Sequence, residues 1–169
     1  MKYLVTGLAG SGKSAIARNL RERGYNAFDG DRVPDLSSWT DKNTGESIEV
    51  DLNNTDYSKI AWSWDRKTLA NLVLSNPNLI LCGSATNALA CFTYFDKVFI
   101  LTLDPETQKH RIMSRLDNNY GQHPDALRMT LENQISFANE SIKLGAIAID
   151  AIAPLNNVVE QILNYVDER

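Results

Sequence analysis

The sequence predicts a three-layer α/β/α domain built on a five-stranded parallel sheet, and three observations carry that prediction. Short apolar runs alternate with helix-like runs along the chain, the pattern of parallel strands joined by crossover helices. A glycine-rich stretch, Gly7-Leu8-Ala9-Gly10-Ser11-Gly12-Lys13-Ser14, separates the first strand from the first helix. The length of 169 residues suffices for one normally buried core, so residues 1–169 are read as a single domain.

Lys2 to Thr6 is the first strand, and Ser14 to Glu22 is a helix closed by Gly24. Asn26-Ala27-Phe28 forms a second strand ending at Asp29, after which Asp31 to about Asn54 lacks apolar periodicity and reads as mostly loop or irregular. So long a connection inside a compact domain is usually functional or disordered. Arg66 to Ser75 carries Leu69, Leu72 and Val73 at helical spacing. Asn78 to Cys82 is the third strand, followed by Gly83-Ser84 and a short helix through Leu89 and Phe92. Val98 to Leu103 is the fourth strand. Asp104-Pro105-Glu106 then supplies an N-cap, a proline at the first helical position and a first-turn acid, for a helix reaching Arg115. Asn118-Asn119-Tyr120-Gly121 breaks it, and Asp125 to about Lys143 forms the next helix, with Leu127, Leu131, Ile135 and Ala138 on one face. Ala146 to Ile149 is the fifth strand, and Leu155 to Val166 the closing helix through Val158, Val159, Ile162 and Leu163.

Bulk properties exclude several classes. Seventeen basic against twenty-one acidic residues give a net charge of −4, so no general polyanion surface for nucleic acid is expected. Cys82 and Cys91 are too few for a disulfide framework and lack metal-ligand spacing. No apolar run approaches the roughly 20 residues of a membrane span, and a core strand so near the first residue leaves no room for a leader, so a cytoplasmic protein is expected, monomeric or a small homo-oligomer.

The segment Gly7 to Ser14 fits G-x-x-x-x-G-K-[ST], a loop that wraps the phosphates of a nucleoside triphosphate. Backbone N–H groups along Ala9, Gly10, Ser11 and Gly12 and on into Ala15 turn inward as an anion-binding concavity, and Gly7 and Gly12 permit the tight backbone. Lys13 supplies a mobile charge to the β and γ phosphates, and Ser14 completes coordination of a largely hydrated Mg²⁺. ATP and Mg²⁺ are therefore the expected cofactors. The first helix adds the positive end of its dipole.

Open α/β sheets bind ligands at the carboxyl ends of their strands. There, Asp29-Gly30-Asp31 follows the second strand; Asp31 is read as the base for an attacking hydroxyl and Asp29 as a carboxylate ordering the metal's waters, with a pair of solvated turn acids as the plainer alternative. Arg111 and Arg115, four apart on one helical face, are read as arginines of a lid over 111–125 that stabilise the transferring phosphoryl group; a solvated face pairing with Glu106 or Asp117 is the alternative.

These features together resemble the small P-loop kinases, the superfamily of shikimate, gluconate and nucleoside monophosphate kinases. The resemblance rests on the phosphate loop, Asp29-x-Asp31, Arg111-x-x-x-Arg115 before a flexible tip, and Ile149-Asp150-Ala151 followed by Pro154-Leu155. It covers essentially the whole chain. It implies sheet order 2-3-1-4-5, an adenine contact through Asp150, Ala151 and Pro154, and ATP-dependent phosphorylation of a small acceptor. The third strand ends in Gly83 where nucleoside monophosphate kinases carry an aspartate, which leaves the metal to Ser14, Asp29 and Asp31 and leans toward the members that phosphorylate hydroxyls. Gly83-Ser84-Ala85 also departs from the triple glycine of shikimate kinases.

The polar insert, about 31–65, is expected to choose the acceptor: Trp39, Tyr57, Trp62, Trp64 and Arg66 lie in or beside it, with Trp62 stacking on a ring and Arg66 holding an anion, alongside Gly83 and Asn87. A satellite core explains the aromatics as well, and a helix-start role explains Asn87. The acceptor is thus a small metabolite or nucleoside hydroxyl, or a nucleoside monophosphate. A GTPase switch is disfavoured, because neither Asn-Lys-x-Asp nor Asp-x-x-Gly occurs. A nucleotide-binding ATPase or regulatory protein without an acceptor is the other reading.

Overall fold

The computed structural model describes residues 1–116 and 120–166. Among these, five strands form one parallel sheet: β1 (Lys2–Thr6), β2 (Ala27–Asp29), β5 (Leu79–Cys82), β6 (Lys97–Thr102) and β7 (Ile147–Asp150). Its order is β2-β5-β1-β6-β7. Counted over the parallel strands alone, this is second, third, first, fourth, fifth; two strands unforeseen in the sequence, β3 (Ser37–Asp41) and β4 (Ile60–Trp64), shift the numbering. Helices α1 (Lys13–Glu22), α2 (Arg66–Ser75), α3 (Pro105–Ser114), α4 (Pro124–Lys143) and α5 (Leu155–Val166) complete the layers.

The central strand β1 is buried along Tyr3–Thr6 because it is flanked on both sides, Val5 pairing with Cys82 of β5 and with Phe99 of β6. One sheet face packs on α1 and α5 through Ile16, Leu20, Val159 and Ile162; the other packs on α2 and a 3-10 turn at Leu89–Tyr94 through Leu69, Val73, Cys91 and Phe92. Parallel strands aligned in this way bring Gly7, Gly30, Gly83 and Ala151 to one edge of the sheet. Helix starts follow their side chains: Asp65 accepts from the Thr68 amide at 2.7 Å, and Asp104, ahead of Pro105, accepts from the Thr107 amide at 2.8 Å.

The stretch from Asp31 to about Asn54, read as mostly loop, holds one strand, β3, which pairs with β4 in an antiparallel hairpin in which Trp39 faces Trp62. Its register is held by Thr40 Oγ1 against Ser63 Oγ at 3.0 Å, so the polar residues that read as loop act as cross-strand partners. The face expected on α4 is corrected: the inward face is Ala126, Thr130, Gln134 and Ser141, whereas Ile135 is 65% exposed. Two of its polar groups bond within the helix, Thr130 donating to Ala126 O at 2.8 Å and Ser141 to Phe137 O at 2.7 Å, while the Gln134 amide donates across to Leu103 O after β6. Of the predicted break at Asn118–Gly121, Asn118 and Asn119 lie outside the described residues, as does Asp117.

Candidate functional site

The segment Gly7 to Gly12 forms the turn between β1 and α1. Gly12, the N-cap of α1, has φ 98 and ψ 10, a left-handed conformation that only glycine adopts cheaply. A Cβ there would meet nothing within 4 Å, so the demand is conformational and the space beside the helix start is open. Gly10, at φ +81, is instead pressed against α3: a methyl on it would lie 2.9 Å from Ile112 Cγ1.

Lys13 folds back across this turn. Its Nζ donates to Gly7 O at 2.7 Å and Leu8 O at 3.0 Å, and lies 3.4 Å from Ser11 Oγ. Burial brings its pKa down to about 8; Asp31 and Asp29 oppose that shift, while Arg115 adds to it. The groups that act on Lys13 electrostatically are Asp29 at the end of β2, Asp31 in the turn after it, Arg115 at the C-cap of α3 and Cys82 of β5. Ser14 and Ala15 are half-buried in the first turn of α1.

Asp29 is 5% exposed, and its Oδ1 accepts from the Asp31 amide at 3.3 Å, closing the turn after β2. Asp31 is exposed, and its Oδ1 accepts from the Trp62 indole N–H at 3.1 Å. The Arg115 guanidinium donates to Tyr120 O. Oxygen donors from Ser14, Asp29 and Asp31 suit a hard cation such as Mg²⁺, which would draw its other ligands from phosphates and water. Among the described residues there is no cluster of His, Cys, Asp or Glu able to hold a metal alone.

Beside the turn lies a cavity of about 220 Å³ lined by Gly12, Ala15, Arg111, Ala151, Ala153 and Leu155, with Ser11, Ile16 and Val158. Of the three residues expected to contact adenine, Ala151 lines this cavity, and Asp150 and Pro154 are not part of its lining. The Asp150 carboxylate accepts from the Ile152 amide at 2.9 Å within its own turn, and the Pro154 carbonyl accepts from the amides of Asn157 and Val158 as α5 begins.

Two of the expected acceptor residues are engaged within the fold itself. Asn87 spends both ends on the backbone of Trp64, accepting from its N–H at 3.0 Å and donating to its carbonyl at 2.9 Å. At Gly83, a Cβ would fall 3.1 Å from Trp64 Cζ2 and 3.3 Å from Gly30 Cα, so glycine is required there by packing. Arg66 is exposed at the first position of α2, its charge felt at the buried Cys91. The insert aromatics form a satellite core with residues beyond α3: Trp39 lies 5.2 Å from Trp62 and 5.5 Å from Tyr120, and Tyr57 lies 5.7 Å from His123 between ring centroids. The sequence reading missed Tyr120 as the far side of that core, and it missed Gln108. Gln108 is fully buried on α3, with its Nε2 2.8 Å from Ala9 O; a polar residue four before Ile112, on the same helical face, was the available signal.

A family model described as AAA domain matches residues 4–136. A dephospho-CoA kinase from Streptococcus mutans is 26% identical over 198 aligned positions, which span 98% of this chain and 93% of that protein. Among solved structures, a shikimate kinase from Bacteroides thetaiotaomicron superposes with TM-score 0.64 at 11% identity, covering 99% of this chain and 98% of the other. A deoxyadenosine kinase from M. mycoides with bound dCTP gives TM-score 0.56 at 15% identity and covers both chains completely. With the family model matching more than half of its length, the chain belongs to the AAA domain family and carries the fold of the small P-loop kinases.

Proposed function

We propose that this protein is an ATP- and Mg²⁺-dependent phosphotransferase acting on a hydroxyl of a small metabolite or nucleoside. The observation that carries this reading is the glycine-rich turn between β1 and α1 with Lys13 folded across it, its Nζ on Gly7 O and Leu8 O, beside the Asp29–Asp31 turn at the same edge of the sheet. A turn that only bound nucleotide would need the lysine, whereas an exposed carboxylate at that edge suits an acceptor hydroxyl. The kinase names of the relatives agree with the reading, and the oxygen donors at Ser14, Asp29 and Asp31 fit Mg²⁺, which supplies charge neutralisation at the β and γ phosphates.

In this reading the adenine occupies the cavity bounded by Ala15, Arg111, Ala151 and Ala153, and the phosphates meet Gly7–Ser14. Lys13 leaves the carbonyls of Gly7 and Leu8 for the β and γ phosphates. The acceptor oxygen attacks the γ phosphorus, the bond from that phosphorus to the β–γ bridging oxygen breaks, ADP departs, and Asp31 takes the hydroxyl proton. Arg115 and Arg111 neutralise charge that spreads over the equatorial oxygens. The insert, 31–65, borders the acceptor and the segment 111–125 covers the phosphates, so positioning does most of the catalysis.

The test is ADP release from MgATP in the presence of deoxyadenosine, deoxycytidine, gluconate, shikimate or dephospho-CoA, with Lys13→Ala as the blank. Release stimulated by one of these and lost in the blank supports the kinase. Release independent of all five, with no phosphorylated product, supports the nucleotide-hydrolysing alternative.

A further inference from the structure

Gln108 is a buried polar side chain that the proposed reaction leaves unused. We propose that it is a positioning residue for the phosphate loop, holding the Ala9–Gly10 peptide so that the Gly10 N–H is aimed at the polyphosphate before nucleotide arrives. The proposal rests on reading Gly7–Ser14 as that loop.

The geometry runs through one peptide unit. A carbonyl can only accept, so the nitrogen end of the Gln108 amide faces Ala9 O, at 2.8 Å and across 99 positions of sequence. A trans peptide is planar, and its C=O and N–H point in opposite directions. With Ala9 O drawn toward α3, the Gly10 N–H is turned away from α3 and into the loop. α3 stands directly behind Gly10: a Cβ built there would lie 3.0 Å from the Gln108 backbone carbonyl oxygen and 2.9 Å from Ile112 Cγ1. A donor fixed ahead of the charge it meets costs no reorganisation on binding. One turn further on, the same helix places Arg111 on the wall of the nucleotide cavity, so α3 holds both the loop and the cavity beside it.

Packing alone does not explain the residue. Gln108 is 0% exposed, and among the described residues its Oε1 has no hydrogen-bond partner. A buried acceptor left unpaired is a standing cost that methionine, of similar length, would not carry. The residue is therefore retained for the bond that its nitrogen makes.

The experiment titrates MgADP and adenosine, by calorimetry and by competition, into the wild-type chain and into Gln108→Met, Gln108→Glu, Gln108→His and Lys13→Ala. Loss of one oriented donor to an anion is expected to weaken MgADP about tenfold in Gln108→Met. In Gln108→Glu the loss is at least as large, since a carboxylate then faces Ala9 O. Gln108→His, which keeps an N–H donor, is expected to restore much of the affinity. Adenosine, lacking phosphates, binds all of the Gln108 variants like wild type. MgADP affinity unchanged in Gln108→Met, or MgADP and adenosine lost in parallel, would overturn the proposal; should Gln108→Met not fold, the same comparison is made with Gln108→Glu. Lys13→Ala separates the two ideas: if it binds MgADP normally, the phosphate-loop reading fails, whereas weak binding there beside normal binding in Gln108→Met removes only the role of Gln108.

Discussion

Nucleotide affinity should fall steeply above pH 8, and Lys13 is the reason. Burial lowers its pKa to about 8 in the nucleotide-free protein, against an ordinary 10.5. A polyphosphate facing Nζ favours the ammonium and restores a high pKa, so binding above pH 8 takes up a proton. The apparent dissociation constant then scales as 1 + 10^(pH − 8). Between pH 7 and pH 9 this factor rises from about 1.1 to about 11, a loss of about tenfold in affinity. The assay is calorimetric titration of MgADP at pH 7, 8 and 9 in two buffers of different ionisation enthalpy, which also counts the protons. Lys13→Met should show neither the slope nor the proton uptake. The free protein adds a check of opposite sign: the unfolded chain holds the Lys13 proton more tightly than the folded one, so stability should rise as pH goes from about 8 toward 10.5. A dissociation constant flat from pH 7 to 9, with no proton uptake at pH 9, refutes the reasoning.

Trp62→Phe keeps a ring against Trp39 and removes the N–H that meets Asp31 at 3.1 Å; turnover should drop severalfold while the KM for ATP stays put, read by steady-state kinetics on whichever acceptor stimulates ADP release. Gly10→Ala combines a left-handed φ of +81 with the contact on Ile112; the backbone conformation alone costs about 1–2 kcal/mol, so thermal unfolding should shift down by several degrees. Gly83→Ala has ordinary backbone angles but drives a methyl to 3.1 Å from the Trp64 ring, a crowding penalty of about 1–3 kcal/mol to be read from denaturant unfolding.

What was legible in the sequence was what is determined locally. The glycine-rich turn, its lysine and the Asp104-Pro105 helix start are short-range devices, and each appears where the spacing put it. The strand at Lys2–Thr6 could be read because burial on both faces demands a continuous apolar run. The hairpin could not be. Ser37–Asp41 is half-buried at every position, which shows no alternation, and it becomes a strand only by pairing with Ile60–Trp64, remote in sequence. The wrong face on α4 has a related cause: Thr130, Gln134 and Ser141 bond back to carbonyls, so they bury without being apolar, and periodicity of apolar residues points elsewhere. In the turn after the last strand, which side chains of 150–155 line the neighbouring cavity depends on how that turn closes on the Asp150 carboxylate.

That unseen hairpin bears directly on the chemistry. Trp39 and Tyr57 are engaged with Tyr120 and His123, which leaves Trp62 as the insert's link to Asp31. The link depends on register, since Trp62 stands opposite Trp39 only when Ser63 pairs with Ser38 and Ala61 with Thr40. Slipping the hairpin by one residue would turn every side chain of β4 to the other face and carry the indole away from the acid. The hydroxyl contacts that oppose a slip are those from Thr40 to Ser63 at 3.0 Å and from Thr40 to Ala61 O at 3.2 Å. Thr40→Val should therefore loosen Asp31 and lower turnover with little change in MgADP affinity, whereas an insert that served only as a lid anchor would lose both together.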